Sequence, residues 1–184
     1  MKLKIEDRLS WRSWVVPRSL LTKPIHRWYV FRHSFTDDLV RGLVHEWNLG
    51  PDGHILDPFV GAGTTLVAAQ GLGVTATGYD LSPLSVLVSQ VKTARFDKSI
   101  LVEALRMLQR RLGRKGQRIS CQTYPSLIEK AFSKAVLVQL EDIADCICGL
   151  EIEDGYRDFF RLALFAILPQ YSMAIATGGW LKWV

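Results

Sequence analysis

The 184-residue sequence predicts an α/β fold, a small parallel sheet with additional helices around it. Three observations predict it. Ile55 and Leu56 read as the end of a buried strand, and the glycine-containing turn Asp57-Pro58-Phe59-Val60-Gly61-Ala62-Gly63-Thr64-Thr65 follows at once. Leu66, Val67, Ala68 and Ala69 then read as the inner face of a helix. A second strand-like run, Val74-Thr75-Ala76-Thr77-Gly78-Tyr79, ends in Asp80. Strand, turn, helix and strand in this order make a parallel pair with a helical crossover.

The remaining elements follow in chain order. Residues 1–22 form an N-terminal arm in which Arg8, Trp11, Arg12, Trp14 and Arg18 alternate cations with tryptophans, continuing to Lys23. Such an arm can bind phosphates and stack on bases, although tryptophans of this kind more often anchor an arm to its own domain. Thr36 is placed to cap a helix whose first turn carries Asp37 and Asp38, with Leu39, Val40, Leu43, Val44 and Trp47 on one apolar face. Ser82-Pro83 starts a helix to about Gln90. Asp97 opens a longer one, with Ile100, Leu101, Ala104, Leu105, Leu108 and Leu112 at helical spacing and Gly113 as its end. Residues 126–147 read as helical, and 155–168 as a helix apolar on most sides. The uncharged stretch 162–181 is excluded as a membrane span by Pro169, Gln170, Tyr171, Ser172, Thr177, Gly178 and Gly179. Gly178-Gly179 is expected to turn into a strand, Trp180-Leu181-Lys182-Trp183-Val184, cut off with its aromatic surface uncovered.

Composition narrows the function classes. The net charge of +5 is compatible with nucleic acid without demonstrating it. Arg106, Arg110, Arg111, Arg114, Lys115 and Arg118 gather at one helix end, as phosphate ligands or as a solvated end that complements the helix dipole. Cys121, Cys146 and Cys148 have no metal spacing and read as reduced thiols. His26, His33, His45 and His54 form no ligand pattern and read as polar or capping groups. The stretch Met1 to Arg8 lacks the apolar core of a signal peptide, so a cytoplasmic location is expected.

The turn carries the chemistry. Glycine at 61 and 63 lets the chain turn sharply and lets a ligand approach the backbone, and Asp80 is placed to accept hydrogen bonds from a ribose diol. A dinucleotide fingerprint would need a third glycine where Leu66 stands, and a pyrophosphate would gain nothing from Asp57. An ammonium or sulfonium would. The sequence D-P-F-x-G-x-G-T-T resembles the hallmark of S-adenosylmethionine-dependent DNA amino-methyltransferases, which methylate adenine N6 or cytosine N4. Gly78-Tyr79-Asp80-Leu81-Ser82-Pro83-Leu84 resembles the family's second motif, and Lys23-Pro24-Ile25-His26-Arg27-Trp28-Tyr29 with Ser34-Phe35 resembles the segment closing over the methionine carboxylate. The resemblance covers roughly residues 23–96.

It implies a partial Rossmann-like class I methyltransferase fold binding S-adenosyl-L-methionine. Asp57 would lie near the methionine amino group, Pro58 and Phe59 against the cofactor, and Gly61, Ala62, Gly63, Thr64 and Thr65 beneath it. Asp80 and Leu81 would hold the ribose side, and Ser34 and Phe35 the methionine side. The family's catalytic loop, Asp, Asn or Ser followed by Pro-Pro and an aromatic, is not found: the chain contains no Pro-Pro, and Leu168-Pro169-Gln170-Tyr171 reads as structural. No catalytic residue is therefore assigned. The organisation expected is an arm (1–22), a cofactor-binding core (23–96) and a helical extension (97–184) truncated before the catalytic strand. The expected partners are double-stranded DNA with a flipped base and a companion chain or C-terminal half carrying the loop, with no membrane. An RNA methyltransferase fragment and a non-catalytic cofactor-binding or subunit-interaction remnant are the alternatives.

Overall fold

The computed structural model describes residues 7–31, 33–114, 122–177 and 180–183. It contains two compact units, Met1–Thr93 and Ala94–Val184.

In the first unit, three short 3-10 turns (Leu9–Val15, Pro17–Leu21, His26–Trp28) precede α1 (Asp37–Glu46), β1 (His54–Asp57), α2 (Thr64–Leu72), β2 (Thr75–Gly78) and α3 (Pro83–Thr93). β1 and β2 pair in parallel, in register from His54 opposite Thr75 to Asp57 opposite Gly78, with α2 as the crossover. Gly73 ends α2 in the left-handed conformation, as a helix stop before a strand requires. Val40 and Val44 of α1 pack on Ala68 and Ala69 of α2 and on Val74, with Ile55, Ala76 and Phe35 around them. Two alanines at this crossing let the helices approach closely.

Three expectations change here. Leu56 is 61% exposed, so β1 is not buried on both faces. Side chains alternate along a strand, and only the face bearing Ile55 is packed. Trp47 is exposed because α1 ends at Glu46 and Trp47 is already the C-cap residue. Thr36 occupies the N-cap position, but its hydroxyl makes no capping bond and is buried without a partner. Its amide instead donates to the Trp14 carbonyl, at 2.7 Å. That bond ties down the arm. Trp14 and Trp11 stack at 4.8 Å, Trp14 lies directly over Gly42 of α1, and Arg8 forks onto Glu46 at 2.6 and 2.5 Å. The tryptophans thus anchor the arm to its own unit.

The second unit comprises α4 (Lys98–Arg114), α5 (Ser126–Ala131), α6 (Lys134–Cys148), α7 (Asp154–Tyr171) and an antiparallel pair of strands, β3 (Ala174–Thr177) and β4 (Trp180–Trp183). Its core joins Ala104 and Leu108 of α4, Cys146 and Ile147 of α6, Leu150 and Phe160. Gly113 does not end α4, which continues to Arg114, and Ile100 and Leu105 of the predicted apolar face are exposed. The helical stretch expected over 126–147 is divided into two helices, α5 and α6. Phe132 is extended, and the Ser133 hydroxyl accepts from the Val136 amide at 3.3 Å to start α6.

Leu168 to Tyr171, Pro169 included, lie within α7, where a proline is not part of a strand-end loop. β4 is the expected exposed strand, but its partner β3 was hidden in the long uncharged stretch. The turn expected at Gly178-Gly179 falls outside the described residues, as do Cys121, Lys115 and Arg118. Within the basic cluster, Arg106 and Arg110 pair with Glu103 at 3.5 and 2.8 Å. Among the described residues no helix is long and apolar enough to cross a membrane, and no cluster of side chains suits a metal ion.

Candidate functional site

Past the last paired residues of β1 and β2 the backbone ladder continues into the turn. The Tyr79 amide donates to the Asp57 carbonyl (2.9 Å), and the Val60 amide to the Tyr79 carbonyl (2.8 Å). The strand ends are therefore held side by side where the two acidic residues stand. Asp57 spans the turn: one carboxylate oxygen accepts from the Phe59 amide at 3.0 Å and the other from the Thr65 hydroxyl at 2.5 Å. Asp80 closes it from the second strand, accepting from the Gly61 amide and the Ser82 amide, each at 2.9 Å. Those backbone donors, Ser82 first and then Gly61, hold the Asp80 carboxyl below its ordinary range, so it is ionised at neutral pH.

The two glycines are required for different reasons. Gly61 and Gly63 both have positive φ, 49° and 76°. A Cβ at Gly61 would meet only ordinary contacts, the nearest 3.6 Å away on the Phe31 ring. One at Gly63 would stand 2.9 Å from the Ser89 Cα. The close approach that Gly63 permits within the chain is thus that of α3. Gly78, quoted in the second motif without a steric role, has a similar task, since a Cβ there would lie 2.5 Å from a Val60 methyl.

Around the turn, Ala62, Thr64 and Thr65 are buried while Pro58, Phe59 and Leu81 are exposed, Phe59 at 84%. Tyr79 is exposed beside them. The structure therefore brings together ten of the predicted residues, Asp57 to Phe59, Gly61 to Thr65, Asp80 and Leu81, around one turn with an apolar rim. Ser34 and Phe35 have partners of their own: the Ser34 amide donates to the Phe31 carbonyl at 3.2 Å, and Phe35 packs on the core of Val40 and Ala68. The aromatic ring beside Gly61 is that of Phe31. No short motif marks Phe31, because its placement depends on the path of residues 23–31.

Similarity to curated proteins extends over the whole chain. Type II methyltransferase M.AvaI of Nostoc sp. (strain PCC 7120) is 26% identical over 194 aligned positions, covering 99% of this chain and 38% of that protein. Along its length this chain is similar to Type II methyltransferases. Type II methyltransferase M.MjaII of Methanocaldococcus jannaschii is 33% identical over 121 positions, 56% of this chain and 22% of its own length. Type II methyltransferase M.BsoBI of Geobacillus stearothermophilus is 36% identical over 76, 41% of this chain and 15% of its own. The chain thus spans well under half the length of these methyltransferase relatives. No family model and no solved structure matches it.

Proposed function

We propose that the turn Asp57–Thr65 with Asp80 binds S-adenosylmethionine, and that the chain is the cofactor-binding portion of a DNA amino-methyltransferase. The observation that carries this reading is the pair of carboxylates at the C-terminal ends of two adjacent parallel strands, bracketing a glycine turn that opens a helix. Ligands of open α/β sheets bind at such strand ends. The donor set fits the group: Asp57 provides an anion for its ammonium, Asp80 an ionised acceptor for its ribose hydroxyls, and Phe59, Tyr79 and Leu81 an apolar rim for its adenine. When bound, it supplies an electrophilic methyl group for an exocyclic amine. The residues of this chain bind and orient; none is assigned to the methyl-transfer step.

In this reading the target adenine or cytosine is flipped from duplex DNA, and the acceptor loop that hydrogen-bonds its amine comes from other polypeptide. The chain alone is then inactive, consistent with its lack of a Pro-Pro pair. Calorimetric titration of S-adenosylmethionine into the purified chain tests the assignment. Saturable binding is expected, weakened at least tenfold in Asp80→Ala, with the fold of both checked by circular dichroism. A folded wild-type chain that takes up no cofactor overturns it.

A further inference from the structure

Lys92, near the end of α3, is 2% exposed, and both of its hydrogen bonds go to backbone carbonyls far away in sequence: His26 at 3.1 Å and Tyr29 at 2.5 Å. Burying an ammonium is costly, and a methionine or leucine of similar volume would fill the space without that cost. What the ammonium provides is a grip on the chain between residues 26 and 29.

That stretch begins under strain. Ile25 has φ 65° and ψ −54°, and the His26 amide bonds the Pro24 carbonyl at 2.7 Å, forming a γ-turn of the rare positive-φ kind on a β-branched residue. On the N-terminal side Lys23 is fastened to Asp37 and Asp38 at 2.5 and 2.9 Å. On the C-terminal side Tyr29 packs edge-on against Phe31 at 5.3 Å, and Phe31 is the ring nearest Gly61 of the turn. The contacts form a continuous path, from Lys92 to the Tyr29 carbonyl, to Phe31, to Gly61.

We propose that Lys92 is a positioning residue that latches the strained segment 25–31 to α3 and thereby holds Phe31 against the glycine turn, ordering it for cofactor. The role assigned to the cofactor rests on the function proposed above; the latch itself does not. Lys92→Met keeps the volume and removes the donors. Val88→Ala, buried on the same helix, is the control for lost packing alone.

Hydrogen–deuterium exchange on the full chain at neutral pH is expected to show amides in 26–31 and 59–65 exchanging at least tenfold faster in Lys92→Met but not in Val88→Ala. The dissociation constant for S-adenosylmethionine is expected to rise at least tenfold in the methionine variant only. Unchanged exchange in either segment, equal acceleration in both variants, or unchanged affinity despite a loosened segment overturns the proposal. Failure of the wild-type chain to bind cofactor defeats the assigned function, while the exchange data still decide the latch. Should Lys92→Met not fold, Phe31→Ala provides the test: 59–65 loosens while 26–29 stays protected, and protection retained in both overturns it.

Discussion

The two units use buried side chains in opposite ways. Among the described residues, every polar or charged side chain that is fully buried (His26, Thr36, Asp37, Thr64, Thr65, Ser85, Ser89 and Lys92) lies in the first unit. The second unit buries alanine, leucine, isoleucine, phenylalanine and a thiol, and its ion pairs, such as Arg157–Asp154 and Arg161–Asp158, link neighbours on a helix surface. Apolar burial is non-directional and is satisfied by many backbone paths. Buried hydrogen-bonding groups are directional and costly if unpaired, so they define one path. The first unit needs that definition because its turn and its 25–31 segment adopt backbone conformations that propensity alone would not choose.

The contrast can be broken most severely at Gly63. Alanine there would carry positive φ strain and press on the Ser89 backbone, so a loss of about 4 kcal/mol is expected from urea denaturation of the chain.

Next in size is a pH effect at Lys92, whose ammonium burial pushes down to about 8 from 10.5. Between those values the unfolded chain keeps a proton that the folded chain has released, so stability rises with pH across that window. Its contribution is complete above pH 10.5 and lost as pH falls through 8, with a total on the order of 3 kcal/mol. Tyr29, raised by burial, pulls the other way, as does Lys23, which burial would lower but which its bonds to Asp37 and Asp38 raise. His26, itself lowered by burial, faces the same group of charges, including Asp37 and Arg41. The difference between wild type and Lys92→Met, followed by chemical denaturation from pH 7.5 to 10.5, isolates the lysine. A parallel pair of curves would remove it as the source.

The smallest effect sharpens the comparison from the other side. Gly113 lies inside α4 with open space where a Cβ would go, so Gly113→Ala should stabilise the chain by about 0.8 kcal/mol in thermal denaturation.

Much of the first unit was legible because its signals are local. The order of strand, turn, helix and strand follows from residues within one stretch, and Asp57, Gly61, Gly63 and Asp80 meet in space as their spacing implies. Gly113 misled because a glycine after an apolar run is a frequent helix stop, yet Arg111 and Leu112 already pack inward and carry the helix past it. Phe132-Ser133 was overlooked as a break because the cap bond of Ser133 needs only one hydroxyl and leaves the apolar pattern intact. β3 escaped notice for the converse reason: Ala174 to Thr177 has no alternation, and its pairing with Trp180–Trp183 is what makes it a strand.

By itself the sequence determined the turn, its two acidic residues and the crossover helix, since glycine conformation and hydrophobic periodicity act over a few residues. It also placed the chain beside the DNA methyltransferases. Only the tertiary structure decided that Gly63 serves the approach of α3, that Phe35 belongs to the core while Phe31 lies by Gly61, and that Lys92 grips a segment more than sixty residues earlier. Those outcomes depend on which distant groups meet once the chain is packed, and a buried donor is satisfied by geometry that no local spacing encodes.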